Sequence, residues 1–403
     1  MEKRTSYPAV DLMKYAGSIM VIMIHCEPLI PQSEINFFIK NIICRIAVPF
    51  FFVSSAFFLR KGMQTRPEYL KKYLMRLLKS YILWSILFLP MGIDWIYQNQ
   101  PVPIELFPAA LLVGFVHIGT YYHLWYISAF ILSVVFIVNL LKRFSYQIVF
   151  GLSLVLYLFG SLETYYGLLP SGWFKDFFDL VIRLTFTTRN GLFFGMIFTL
   201  IGFFIYDNRK KLSRIEKHST SFLWFFGSLF VLEGLWLFHI RRLDMNFIWM
   251  LVPLSFFLFL WLLSRKLKQR PYLKKLRERS HYYYFIHPIC IVLVEETGKA
   301  FKLSLLSYGM VSFLIILFLT HGFATVLINI RNRPPKLLKP ALLLKTLFTG
   351  IGITLILAGA LYQFKVSSTV IKFEFVPCTW ITASFFSLFF FMKERMIHPA
   401  VRN

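Results

Sequence analysis

Charged residues are scarce in this chain of 403 residues. Asp, Glu, Lys and Arg make up 16% of it, against about a quarter of an ordinary soluble domain. That shortage argues against a water-exposed globule. Acids are scarcer still, 19 against 44 bases. Cysteine is nearly absent: Cys26, Cys44, Cys290 and Cys378 lie in or beside apolar runs and form no CxxC pair or metal-ligand spacing. This disfavours a disulfide scaffold or a zinc site, and the four read as small apolar residues. There is no internal repeat, no Gly-Pro linker, no low-complexity tail and no polar stretch long enough to fold alone. Any chemistry must use residues within or bordering the apolar runs.

What the chain has is apolar length. Hydrophobic residues are 57%, the mean hydropathy is +0.63, and 47 Phe, 20 Tyr and nine Trp supply rings for core and interface. The apolar residues fall into runs of roughly 18–25, enough to cross a hydrocarbon core of about 30 Å. Spans are expected near 8–30, 36–59, 74–97, 121–141, 145–168, 188–207, 219–239, 245–265, 281–297, 304–330, 340–363 and 373–392, with 104–118 as a short re-entrant or interfacial segment. The fold class expected is an all-α polytopic membrane helix bundle of about twelve transmembrane helices. The first run contains Asp11, Lys14 and His25, which a cleaved signal would not carry, so it is read as a span.

The net charge of +25 raises the question of nucleic acid, but its distribution argues otherwise. With both termini cytoplasmic, the cytoplasmic segments 1–7, 60–79, 142–144, 208–218, 265–280, 331–345 and 393–403 hold 32 of the 44 Lys and Arg, the outer segments 8, and the spans four. That is the positive-inside pattern. The bases are anchors facing anionic lipid, no nucleic-acid partner is called for, and membrane lipids are the expected surroundings.

Ionisable groups inside spans are costly and mark candidate sites. Lys14 and His25 are eleven residues apart, near three turns, so they share one helix face about 16 Å apart. Asp11, three residues before Lys14, is placed to pair with it. A structural polar seam is the competing reading. In the second span, Pro49 interrupts the backbone bonds and Ser54, Ser55 and Ala56 permit close helix approach. Arg45 then either points into a polar cavity or belongs to a kinked packing helix. Arg76 and Lys79, at i and i+3, suit a polyphosphate and equally lipid phosphates. Spacing alone favours lipid anchoring. His123-Leu-Trp125-Tyr126, Arg189-Asn190-Gly191 and Ser280 to His287-Pro288 open spans, and each alone also reads as interface residues.

Taken in order, five pieces resemble the acyltransferase-3 family of integral-membrane acyltransferases: Asp11-Leu-Met-Lys14 with His25, Phe51-Phe52-Val-Ser-Ser55-Ala56-Phe57, Arg76-Leu-Leu-Lys79, His123-Leu-Trp125-Tyr126, and Ser280 to Tyr284-Phe-Ile-His287-Pro288. They cover residues 8 to about 330. Ile24-His25-Cys-Glu27-Pro28, Arg45-Ile-Ala-Val-Pro49 and Thr188-Arg189-Asn190-Gly191 resemble the branch that includes the membrane part of vancomycin-resistance-type membrane serine racemases. The family commonly has Arg where Lys14 and Lys79 stand and Gly where Ala56 stands. Lys keeps the charge but loses the bidentate fork, which leaves weaker phosphate geometry or a non-enzymatic role open.

The resemblance implies a ten-helix acyltransferase-like domain over 1–335. Residues 336–403 then form a C-terminal two-helix hairpin and tail, where the racemases carry a soluble pyridoxal-phosphate domain. It implies a bacterial cytoplasmic membrane protein with no permanently bound cofactor. Acyl-CoA, acetyl-CoA in the simplest case, would be its co-substrate and the hydroxyl of a glycan or lipid-linked molecule its acceptor. By the same resemblance His25 is the catalytic base or acyl carrier, with Glu27 and Asp11 tuning it. Lys14, Lys72, Arg76 and Lys79 hold acyl-CoA. Arg45, His123, Trp125, Arg189, Asn190 and His287 serve the acceptor or the oxyanion, and no metal is expected. A carrier of a small polar solute such as serine, or of a glycan, would use the same polar seam. A structural or partner-binding membrane subunit is the third class, in which His25 and Arg76 tolerate substitution.

Overall fold

The computed structural model describes residues 7–332 apart from 100–103, 269, 304, 305 and 307. The expected spans 340–363 and 373–392, and the boundary at 335/336, lie outside the described residues. Among those described there is no strand. The helices are α1 (Pro8–His25), α2 (Ser33–Thr65), α3 (Tyr69–Asn99), α4 (Phe107–Val113), α5 (Trp125–Leu140), α6 (Tyr146–Ser161), α7 (Trp173–Thr185), α8 (Gly191–Asp207), α9 (Ser219–Leu237), α10 (Leu251–Ser264), α11 (Pro271–Ala300) and α12 (Gly309–Asn332). Four stretches, Ser33–Thr65, Tyr69–Ile93, Ser219–Leu237 and Gly309–Asn329, are long and apolar enough to cross a bilayer, and α5, α6, α8 and α10 are shorter apolar helices. Apolar side chains cover much of the outside; Trp224, Val155 and Phe318 are each more than half exposed. Such a surface suits hydrocarbon rather than water.

α8 is the axis. Every residue from Phe194 to Phe203 is buried, as expected for a helix apolar all round. It packs most closely on α2, with α5, α6 and α10 also against it. Small residues set the approach, since a Cβ at Gly202 would lie 2.4 Å from the Val53 carbonyl oxygen and 2.6 Å from the Ala56 Cβ. The Ser54–Ala56 patch thus meets a glycine. α1 packs on α11, and α11 on α12.

Several expectations change. The run at 281–297 is the second half of a longer helix that begins at Pro271, a favourable first-turn residue. The segment 104–118 is a short helical turn, α4 and a π-helical turn, Gly114–Ile118. α7 was not expected at all. Lys175, Asp176, Asp179 and Arg183 lower its mean hydropathy, yet Trp173, Phe177, Leu180 and Leu184 form one exposed stripe of the kind that lies flat in an interface. Pro49 sits in the first turn of the regular part of α2, just after a π turn (Phe38–Ile42) and a 3-10 turn (Ile43–Ile46). The disruption therefore falls before the proline rather than as a mid-helix kink.

The starts of α1, α6 and α11 share one face with the ends of α2, α8 and α10, called the basic face below. The other face carries the end of α1, the irregular half of α2, α4, α7 and the loop between α9 and α10. All three π-helical turns among the described residues, Phe38–Ile42, Gly114–Ile118 and Gly191–Gly195, lie toward that second face. π turns gather at functional sites.

Candidate functional site

Three histidines from separate parts of the chain meet near the second face. His25 is the last residue of α1, His123 stands in the turn before α5, and His287 lies midway along α11. The His25 and His287 rings stack with centroids 5.5 Å apart, and the His123 and His287 rings meet edge to face at 5.6 Å. Tyr122 closes on His25 at 4.5 Å and Phe88 on His123 at 4.6 Å. Local sequence explains the positions. Gly119 takes a positive φ of 85°, and a Cβ there would strike the Trp125 nitrogen at 2.5 Å. Only a glycine turns the chain so tightly into α5. Pro288 removes the N–H that would bond the Tyr284 carbonyl, and the Tyr284 hydroxyl donates to the His123 carbonyl at 2.6 Å.

His287 is buried, and its Nδ1 lies 2.9 Å from the Tyr283 carbonyl oxygen. A carbonyl only accepts, so Nδ1 carries the proton and Nε2 is left as a lone-pair base. That Nε2 is buried without a partner, as are both ring nitrogens of His123. Buried nitrogens of this kind are costly in a finished core and mark a place where another molecule's donors belong.

Cations surround His25. The charges acting most strongly on His25, beyond His287, are Arg189, Arg45 and Lys40. Arg45, in the 3-10 turn of α2, donates to Asn246 Oδ1 at 2.7 Å and Asn41 Oδ1 at 2.9 Å. Arg189 lies over the Trp125 ring at 5.1 Å and is 3.8 Å from Asp244 Oδ2. Lys40 donates to the Cys26 carbonyl. Asn190 caps the turn that starts α8, its Oδ1 accepting from the Leu192 and Phe193 N–H groups at 2.9 and 3.0 Å, while its Nδ2 is 3.3 Å from His117 Nε2. Asp244 lies in the loop outside the spans. Burial alone would raise its carboxyl, but Arg189 and Arg45 hold it below the usual carboxylate range.

The structure therefore brings together His25, His123, His287, Arg45, Trp125, Arg189 and Asn190. It does not bring Asp11 or Glu27 to them. Asp11 is fourteen residues from His25, about 21 Å along α1, and Glu27 is exposed. The pairing expected between Asp11 and Lys14 is replaced by one with Arg277 at 3.5 Å, and Lys14 lies over the Phe58 ring at 4.7 Å. At the basic face Lys72 pairs with Glu68 at 2.6 Å, and Arg76 and Lys79 are exposed one and two turns on. Hydroxyls and an imidazole lie between the two ends: Tyr15 and Tyr283 are 3.3 Å apart, and Tyr283 is 2.7 Å from His321 Nδ1. Among the described residues no group of three or more His, Cys, Asp or Glu is placed to hold a metal ion.

Sequence reasoning missed Tyr122, Asn41, His117, Asp244 and Asn246. Asn246 joins Arg45 across 201 residues, and no local spacing encodes that. Asp244-Met-Asn246, a polar step at the edge of an apolar run, was the one available signal.

A family model described as an acyltransferase domain matches residues 7–329. An amino-acid racemase of Enterococcus faecalis is 28% identical over 332 residues, 81% of this chain and 46% of the relative. A serine/alanine racemase of Enterococcus gallinarum is 30% identical over 327 residues, 78% of this chain and 45% of the relative. The chain thus spans about half the length of the curated relatives it matches. No solved structure matches it.

Proposed function

The chain belongs to the acyltransferase-3 family of membrane acyltransferases, and from that premise we propose that it moves an acyl group, acetyl in the simplest case, from acyl-CoA to a hydroxyl of a cell-surface glycan or lipid-linked acceptor. The observation that carries the reading is the three-histidine cluster, with buried unpartnered nitrogens on His123 and His287 and with Arg45 and Arg189 acting on His25. In this reading acyl-CoA arrives at the cytoplasmic side, its phosphates held by Arg76 and Lys79 with Lys72 and Lys14 nearby. The pantetheine arm follows the Tyr15–Tyr283 side of α1 over the roughly 16 Å between the levels of Lys14 and His25.

His25 takes the proton of the acceptor hydroxyl as that oxygen attacks the thioester carbon. Arg45 and Arg189 stabilise the oxyanion. Its collapse breaks the C–S bond, and the CoA thiolate leaves with the proton from His25. His123 and His287 orient the acceptor hydroxyl, and Trp125 and Asn190 hold Arg189 and the start of α8 in register.

Acyl-CoA binding to the purified chain is expected to weaken about tenfold or more in Arg76→Ala. His25→Ala is expected to lower transfer by a factor of about 10² to 10⁴ at unchanged protein level. Wild-type protein that binds no acyl-CoA, or full glycan acylation in cells carrying only His25→Ala, refutes the reading. A second reading, carriage of a small polar solute such as serine, takes its solute from the name of one Enterococcus relative, a serine/alanine racemase. It predicts serine flux that persists in Arg76→Ala without any acyl-CoA binding.

A further inference from the structure

We propose that the acceptor bound beside the histidines carries an anionic group, a carboxylate or a phosphate, gripped by Arg45 and Arg189. The proposal rests on the reading of this end as the acceptor site and adds the chemical class of what enters it. The cations around His25 and the partners of the two arginines carry it. Lys40, Arg45 and Arg189 all act on His25. The acid between the two arginines is Asp244, and it is already engaged by the Met245 N–H at 2.6 Å and by Asn246.

The other ionisable neighbours are paired or exposed, apart from Glu295 on α11, whose Oε1 is buried without a partner and which acts on Cys26 and Tyr122 beside His25. Glu27, near Lys40, is exposed. Glu163 accepts from the Thr188 and Thr187 hydroxyls at 2.7 and 3.1 Å. Arg242 donates to the carbonyls of Leu237, Phe238 and Ile240 at 2.8 to 3.2 Å. Arg45 and Arg189 thus share the carboxylate of Asp244.

The partners of the two guanidiniums say the same. Arg45 makes its hydrogen bonds to two neutral amides, Asn41 and Asn246. Arg189 is 3.8 Å from Asp244, too long for a hydrogen bond. The Nε atoms of both arginines are buried without a partner. A partly buried cation without a full counter-charge is unfavourable, and a guanidinium with an unpartnered Nε–H is suited to a carboxylate or to phosphate oxygens. A neutral sugar would leave that charge uncompensated.

The test is equilibrium binding to the full purified chain without acyl-CoA, using three matched probes: D-glucose, D-glucuronate and D-glucose 6-phosphate. Omitting acyl-CoA removes any oxyanion role from the measurement. At least one anionic probe is expected to bind tenfold or more tighter than glucose, and less tightly as salt rises. Preference for glucuronate identifies a carboxylate and preference for glucose 6-phosphate a phosphate. Arg45→Gln and Arg189→Gln are expected to abolish the preference, with Arg189→Lys keeping part of it, in preparations that melt as single species. Equal binding of all three probes, no binding of any, or a preference that survives both Gln substitutions overturns the proposal. Wild-type acyl-CoA binding separates the failures. If it is absent, the acyltransferase reading falls; if it is present with equal probe binding, only the anionic acceptor falls.

Discussion

Asp244 shows how much one side chain holds in place. It joins Arg189 to the loop between α9 and α10 and, through Asn246, to Arg45 on α2. Its folded titration lies below the ordinary range. A carboxyl of that kind stabilises the fold above its unfolded value near 3.9 and loses the contribution as pH falls through the folded value. Asp244→Asn is expected to cost about 2 kcal/mol at pH 7. The gap between the wild-type and variant melting curves should begin to close at about pH 4 and vanish below the folded value. A gap that stays constant down to pH 3 would mean that the charge of Asp244 contributes nothing. At this scale the sequence marked His25, Arg45 and Arg189 because ions in apolar runs are conspicuous in one dimension. Their partners were hidden because a partner is a three-dimensional fact. Arg277 reaches Asp11 across 266 residues, and that long-range pair displaced the local one with Lys14.

At the scale of elements, the α2–α8 contact is the seam most sensitive to volume. A Cβ at Gly202 meets backbone and a neighbouring Cβ, whereas a Cβ at Gly151 on α6 meets nothing within 4 Å. Gly202→Ala is expected to lower stability by about 1–3 kcal/mol through overpacking. Gly151→Ala should leave it unchanged or raise it by about 0.5–1 kcal/mol. Thermal melting in detergent reads both, and equal melting of the two variants would show that the seam yields freely. Apolar length made α2, α3, α9 and α12 legible as spans. α7 stayed hidden because its polar face averages against its apolar face, and only its period reveals it. The π turns were hidden for another reason: hydropathy does not report the pitch of a helix.

For the molecule as a whole, the charge asymmetry makes a prediction about sides. On a cysteine-free background, Lys210→Cys lies on the basic face and Ser171→Cys on the other, both at exposed positions. A membrane-impermeant maleimide added to intact cells should label Ser171→Cys and should reach Lys210→Cys only after permeabilisation, if the basic face is cytoplasmic. The reverse pattern would invert the chain and put Arg76 and Lys79 beyond the reach of cytoplasmic acyl-CoA. The bundle was legible at this scale because crossing a bilayer constrains composition more strongly than any soluble fold does. Which helices touch, and where the two ends of the site lie relative to each other, was not. α1 meets α11 across most of the chain, and packing between apolar helices leaves little trace in their order.

The π turns have a consequence for how this site tolerates insertion and deletion. Each holds one residue more than a regular turn would, and about 100° of rotation separates neighbouring residues on a helix. Removing a single residue from Gly191–Gly195 would leave α8 as apolar as before and nearly as long. It would also swing Arg189 and Asn190 by about a quarter turn relative to the Phe194–Phe203 core. The site is thus encoded partly in the number of residues, and a one-residue gap there would silence it without altering its side chains.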